Sequence, residues 1–260
     1  MILNHKTLGS GSSTIVILHG LFGSLDNWLT FAKNLAEHRQ VVLMDLRNHG
    51  NSPHADEWNY SLMARDVKET LDHLNIRHCF LSGHSMGGKT AMVFSELYPE
   101  YLQGLIVIDI GPRYYEPHHQ TILRALFAVT QTPVHSRKEA EERITPHIQD
   151  AATRQFLLKN LYWRDPQNLD WKFNLTAIAV NIEEVGKATP DSTVRIPVHT
   201  LFIKGGNSDY LNTSDTEKIK KIFPNSQLST IENAGHWVHA EKPIELLETI
   251  KTWINEQETS

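Results

Sequence analysis

The sequence predicts an α/β fold: a mostly parallel, twisted sheet flanked by helices, with a helical cap inserted into it. Three observations lead there. Short runs of β-branched and apolar residues recur without polar alternation, as strands buried on both faces do. Stripes of apolar residues at helical spacing separate those runs, the rhythm of βαβ crossovers. Between residues 114 and 186 the rhythm gives way to helical patterns alone, and it then resumes.

Residues before Thr14 carry no assignable pattern. Thr14-Ile15-Val16-Ile17-Leu18 reads as the first buried strand and runs into His19-Gly20. Trp28, Phe31, Ala32 and Leu35 follow at helical spacing behind Asp26, a residue type that caps helix N-termini. Val41-Val42-Leu43-Met44 is a second buried strand, closed by a turn-rich stretch from Asp45 to Pro53. Met63, Val67, Leu71 and Leu74 stripe the next helix, with Ser61 expected to cap it. A strand at Cys79–Ser82, a helix at Met86–Leu97 and a strand at Leu105–Asp109 continue the alternation.

The expected organisation is a core formed by residues 1–113 and 187–260, with residues 114–186 as the cap. In the cap, Ile122, Leu123, Leu126 and Val129 mark one helix, Phe156, Leu157 and Leu161 a second, and Leu175, Ile178, Ile182 and Val185 a third. The core resumes with a strand at Val198–Lys204 and a helix at Ser214–Phe223, where Ser214 and Glu217 have capping-box spacing. A last strand, Gln227–Ile231, leads to Gly235-His236-Trp237. Pro243 then suits the first turn of a final helix whose inner face carries Leu247, Ile250 and Ile254.

Composition limits what such a chain does. Over 260 residues, 25 Lys plus Arg stand against 30 Asp plus Glu, a net charge of −5, so the clustered basic surface that nucleic acid requires is missing. No stretch is long and apolar enough to span a bilayer, and the N-terminus shows no basic region followed by an apolar one. Cys79 is the single cysteine, which rules out an internal disulfide and suggests a reducing, cytoplasmic setting. Its neighbours mark a buried strand, where an inert thiol is expected.

The chemistry is concentrated in Gly83-His84-Ser85-Met86-Gly87, a Gly-x-Ser-x-Gly motif between an expected strand and an expected helix. A serine on so tight a turn takes a strained backbone, and only glycines let strand and helix approach that closely. Serine is a weak nucleophile until a base accepts its proton. Of 15 histidines, His236 is singled out by its place after the last strand, where a loop can return to the carboxyl edge of the sheet above Ser85. Acyl transfer develops negative charge on the former carbonyl oxygen, so two main-chain donors are expected to face it. Met86 opens the following helix, and Leu21 lies in the glycine-rich turn His19-Gly20-Leu21-Phe22-Gly23. His239 and Glu241 match no zinc-site spacing, and the chemistry needs neither metal nor cofactor.

His19-Gly20, Gly83 to Gly87 and Gly235-His236 occur in the order used by the α/β-hydrolase fold, which the chain resembles over nearly its whole length. His19 to Ser24, Asp45 to Gly50, Ile108 to Pro112 and Trp171 to Leu175 resemble more closely the small bacterial esterases of the YbfF type and their eukaryotic ABHD-like relatives. The resemblance implies a serine carboxylesterase or thioesterase acting on small esters or thioesters with short to medium acyl groups, acyl-CoA included. It also implies an acid at Asp109, at the end of the strand before the cap, with a supporting hydroxyl at Ser208. Many α/β-hydrolases instead carry the acid after the strand ending at Lys204-Gly205, which points to Asp209. A carboxylate at the end of an apolar strand is costly without a polar partner, which gives Asp109 independent physical support. Asp45, close to Arg47, reads as a turn anchor.

The fold also hosts carbon–carbon bond hydrolases, proton-abstracting lyases and non-catalytic receptors. Buried arginines would favour a carboxylate-bearing substrate of the first kinds, with Arg113, Arg124 and Arg164 as candidates. The aromatic residues Tyr114, Tyr115, Phe127, Phe156, Tyr162, Trp163 and Trp171 are expected to roof an apolar pocket or to form the cap's own core. His118-His119 and the charge run from Arg137 to Arg143 are expected at the surface.

Overall fold

The computed structural model describes residues 1–116, 118–190, 193–212 and 214–259. In chain order the strands are β1 (His5–Leu8), β2 (Thr14–Leu18), β3 (Gln40–Met44), β4 (Cys79–His84), β5 (Leu102–Ile108), β6 (Leu161–Asp165), β7 (Asn168–Trp171), β8 (Thr200–Gly205) and β9 (Ser226–Ile231). Seven of them form one sheet in the order β1-β3-β2-β4-β5-β8-β9, while β6 and β7 form a separate hairpin. Only β1 runs antiparallel within the large sheet, pairing His5 with Met44 and Leu8 with Val41.

Side chains alternate across a strand, so each central strand feeds two cores. Ile15, Ile17, Phe80, Ile106 and Ile108 pack beneath Trp28, Phe31 and Leu35 of the segment leading into and through α1 (Leu29–Leu35), and beneath Leu246, Ile250 and Trp253 of the C-terminal helix. Val16, Leu18, Leu81 and Val107 meet Met63, Val67 and Leu71 of α2 (Tyr60–His73) and Met92 and Phe94 of α3 (Met86–Leu97). This double burial explains why the strands read as unbroken apolar runs.

Residues 114–186 lie between β5 and β8. They contain α4 (Gln120–Thr130), α5 (Arg137–Ile144), α6 (Ala151–Leu158), the β6–β7 hairpin, α7 (Leu175–Val180) and α8 (Ile182–Gly186). The all-helical expectation for this segment is corrected by the hairpin. Leu161, Leu169 and Trp171 turn inward while Tyr162 and Trp163 face out, an alternation too short to register against neighbouring helical stripes. Asp165 closes the turn by accepting the amide of Gln167. The remaining helices are α9 (Asp215–Ile222), the short α10 (Val238–Glu241) and α11 (Pro243–Glu258). Among the described residues no helix is long and apolar enough to cross a membrane.

Several helix ends differ from expectation by a residue or two. Asn59, not Ser61, caps α2 by accepting the Leu62 amide at 2.9 Å. Asp26 lies inside a 3-10 turn that begins after Ser24, whose amide donates to Asn27. Ser214 precedes α9 but makes no capping bond; the Asp215 carboxylate takes the Asn212 amide instead. In α11 the core position is Leu246, with Leu247 at the margin.

Candidate active site

Five neighbouring strands deliver the site at their carboxyl ends, the edge where open α/β sheets bind ligands. β2 runs into the His19–Gly23 turn, β4 into Ser85, β5 into Asp109, β8 into the loop bearing Ser208, and β9 into the loop bearing His236.

Ser85 has φ 52° and ψ −117°, a conformation that side-chain-bearing residues rarely adopt and that holds its hydroxyl clear of the bend. The bend needs glycine on both sides. A Cβ on Gly83 would lie 2.1 Å from the Gly87 carbonyl oxygen, and one on Gly87 would lie 2.5 Å from that of Leu18. His236 Nε2 is 3.1 Å from Ser85 Oγ, and its Nδ1 is 2.7 Å from Asp109 Oδ2. A carboxylate can only accept, so Nδ1 carries the proton and Nε2 is left to receive one from the serine.

Asp109 is fully buried at the end of β5. Its Oδ1 accepts the Gly205 amide at 2.9 Å, and its Oδ2 also accepts the Ser208 hydroxyl. These bonds supply the partners that a buried carboxylate requires. Asp209 is exposed, and among the described residues no hydrogen bond or ion pair joins it to His236; its carbonyl oxygen accepts from Arg113 and Asn212. Asp45 anchors a turn as expected, accepting the amides of Leu25 and Asn51. Arg47 pairs instead with buried Asp66, through Nε at 2.5 Å and Nη2 at 2.9 Å.

The turn after β2 passes directly beside the serine: a Cβ on Gly20 would lie 3.4 Å from that of Ser85. Gly23 closes the turn by donating to the Gly20 carbonyl, and Phe22 donates its amide to His49 Nε2 at 3.3 Å. Leu21 sits in this turn and shares the cavity wall with Ser85. Met86, the first residue of α3, has one of the amides that a helix N-terminus leaves without an intrahelical partner.

A cavity of about 120 Å3 opens beside Ser85 and His236, with Trp28, Ile122, Phe156, Leu157 and Trp237 among its apolar walls. Of the cap aromatics, Phe156 lines it and packs on Trp237 at 5.5 Å. Trp171 is buried against Phe173, whereas Tyr114, Phe127, Tyr162 and Trp163 are exposed. Arg113 pairs with Asp215, Arg124 donates to Thr121, and Arg164 pairs with Asp165 and Asp170; none of the three lines this cavity.

His118 is exposed, as expected, at the edge of the cavity, whereas the surface assignment of His119 needs correction: it is half-buried in the cavity wall, and burial pushes it down to about 4. The charge run of α5 lies at the surface, as expected, with exposed Arg137 and half-buried Arg143 also donating to main-chain carbonyls. Other site residues carried no sequence signal of their own. Tyr210 stacks on His236, and His84, held neutral by burial, donates to the His236 carbonyl at 2.8 Å. Glu241 accepts the Gly235 amide and braces the same loop. His239 stacks on Trp28 at 4.3 Å. Burial pushes the Cys79 thiol up to about 12, which suits an inert core residue.

The sheet order, the strained serine bend and the late histidine loop define an α/β hydrolase, and the chain belongs to that family: the model described as alpha/beta hydrolase fold matches residues 13–243. Among its relatives, a putative esterase/lipase of Haemophilus influenzae is 42% identical over 243 residues, covering 93% of this chain and 83% of that protein. Esterase YbfF of Escherichia coli K12 is 35% identical over 249 residues, 94% of each. A solved structure described as a marine microorganism esterase superposes with a TM-score of 0.92 at 39% identity, over 96% of this chain and 98% of its own.

Proposed function

We propose that the protein is a serine carboxylesterase in which Ser85 is the nucleophile, His236 the general base and acid, and Asp109 the carboxylate that orients His236. Leu21 and Met86 amides are assigned to the oxyanion. The observation that carries this reading is the continuous path from Ser85 Oγ through His236 to Asp109, with 3.1 and 2.7 Å between heavy atoms. Hydrolysis of esters is the activity named for the relatives above.

In the first half-reaction His236 Nε2 takes the serine proton as Oγ attacks the carbonyl carbon, and the proton then passes to the departing alkoxide. In the second half-reaction the same imidazole deprotonates water, which releases the acid and restores Ser85. Ser208 holds the second face of Asp109 Oδ2 and is assigned a supporting role. Thioesters offer the same carbonyl with a better leaving group, so acyl-CoA belongs in the same substrate class as a second choice. Cavity walls without an arginine favour this reading over cleavage of carboxylate-bearing carbon–carbon substrates. We read residues 114–186 as a cap over the core formed by 1–113 and 187–260, and the lone buried Cys79 supports a cytoplasmic setting.

Turnover of p-nitrophenyl butyrate is the test. It is expected in the wild type and lost in Ser85→Ala, with a fluorophosphonate probe labelling Ser85 alone. A Ser85→Ala variant that retains wild-type turnover overturns the proposal.

A further inference from the structure

A second cavity, of about 30 Å3, meets the first at Ser85. Leu21, Ser85 and Tyr210 belong to the walls of both. The two differ at the residues that matter for direction: His236 lines only the larger cavity and Met86 only the smaller.

The inference rests on the acyl-enzyme reading above. In the cleavage step the Ser85 Oγ–carbon bond forms, the carbon–oxygen bond to the alcohol breaks, and the serine proton leaves with the alcohol after resting on His236 Nε2. The departing oxygen must therefore lie on the His236 side. The carbonyl oxygen faces the Leu21 and Met86 amides, so the remaining substituent, the acyl chain, is directed away from His236 toward the space beside Met86.

We propose that the smaller cavity is the acyl subsite and the larger one the alcohol subsite, which makes the protein selective for short acyl groups on bulky apolar alcohols. A water-sized group needs roughly 10–15 Å3 of such volume, so the smaller cavity holds at most two or three groups beyond the carbonyl, roughly a propionyl or butyryl chain.

Its far wall is braced. Tyr60 donates to the Val185 carbonyl at 2.8 Å, and buried Lys89 donates to the Arg113 carbonyl at 3.0 Å and to that of Lys187. With its protons engaged by carbonyls, Lys89 closes the cavity without offering a free anion site. Ile110 adds an apolar side chain to a wall that also includes Tyr115 and Glu116. The larger cavity, walled by Trp28, Phe156 and Trp237, suits an aromatic or branched alcohol.

Two substrate series on the full-length chain test this. With p-nitrophenol fixed as leaving group, kcat/KM is expected to fall at least about tenfold from butyrate to octanoate, the scale of methylene groups that a closed pocket refuses. With acetate fixed, 2-naphthylmethyl acetate is expected to match or exceed ethyl acetate. Ile110→Ala is expected to move the optimum toward hexanoate, and Val185→Ala, at a half-buried position, provides the same test should the first variant fold poorly. Octanoate turned over as fast as butyrate, in a reaction still abolished by Ser85→Ala, overturns the subsite assignment and leaves the esterase reading standing. A butyrate optimum that neither variant shifts also overturns it. Turnover that survives Ser85→Ala overturns the esterase reading itself.

Discussion

The phenol ring of Tyr210 lies flat on the imidazole of His236, with centroids 3.8 Å apart and planes 18° from parallel. Its backbone amide donates to Ser208 Oγ, whose hydroxyl in turn donates to Asp109, so one residue braces the imidazole and its carboxylate support together.

Replacing Tyr210 with alanine removes that stack, worth about 0.5–1.5 kcal/mol, and kcat is expected to fall by up to about tenfold. Tyr210→Phe keeps the ring and loses only the contact of the phenol with His118, 3.0 Å away. Steady-state kinetics on the pair would show whether the ring face is what counts; equal losses in both variants would assign the effect to the hydroxyl.

The two candidate acids give opposite forecasts. Asp109→Asn leaves an amide where His236 needs an acceptor and is expected to lower kcat by about ten-thousandfold, the scale of the equivalent change in a serine protease. Asp209→Asn alters an exposed side chain and is expected to stay within about twofold of wild type. Measuring kcat in both variants decides the assignment, and a crippled Asp209→Asn beside a near-normal Asp109→Asn reverses it.

His49 supports the turn that carries Leu21. Burial pushes it down to about 3, so its Nε2 stays an acceptor for the Phe22 amide while Nδ1–H donates to the Arg47 carbonyl. Because the folded value lies below the ordinary 6.5, the unfolded chain binds the extra proton between about pH 6.5 and 3. Stability is therefore expected to fall as pH drops through that window. His49→Phe should flatten that dependence in thermal melts, and it should also cost about tenfold in kcat by leaving the Phe22 amide without its acceptor.

Lys89 acts at the other end of the scale. Burial, with Lys218 and Arg113 adding repulsion, pushes it down to about 7 from 10.5. Between those values the unfolded chain holds a proton that the folded one has released, so the Lys89 contribution to stability rises with pH. Relative to Lys89→Met, the wild type is expected to gain about 1 kcal/mol per pH unit between pH 7 and 10, as read from denaturant melts. A pH-independent difference between the two would show that Lys89 keeps its proton throughout.

Elements with a strong local pattern are legible in the sequence. β2, β3, β4 and β5 are buried on both faces, so composition alone marks them, and Gly83 to Gly87 states a steric demand in the chain itself. β1 was not legible, because a four-residue edge strand with exposed Lys6 and Thr7 carries no apolar run. The β6–β7 hairpin was hidden for a related reason: its inward residues are few and lie beside helical stripes.

Among the site residues, Ser85 is announced by its neighbours and His236 by its place after the last strand. Tyr210, His84 and His119 are aromatic or titratable residues like many others in the chain, and only the folded loops bring them against His236 and the cavity.

By itself the sequence determined the sheet of buried strands, the strained serine bend and the short list of partners for that serine, because burial and backbone strain are written in local residue type and spacing. Only the tertiary structure decided which carboxylate meets His236, which aromatic residues wall the cavity and how two chambers join at Ser85. Those are distances between residues far apart in the chain, Ser85 and His236 being 151 positions apart, created when five strand ends converge on one edge of the sheet, and no local pattern encodes them.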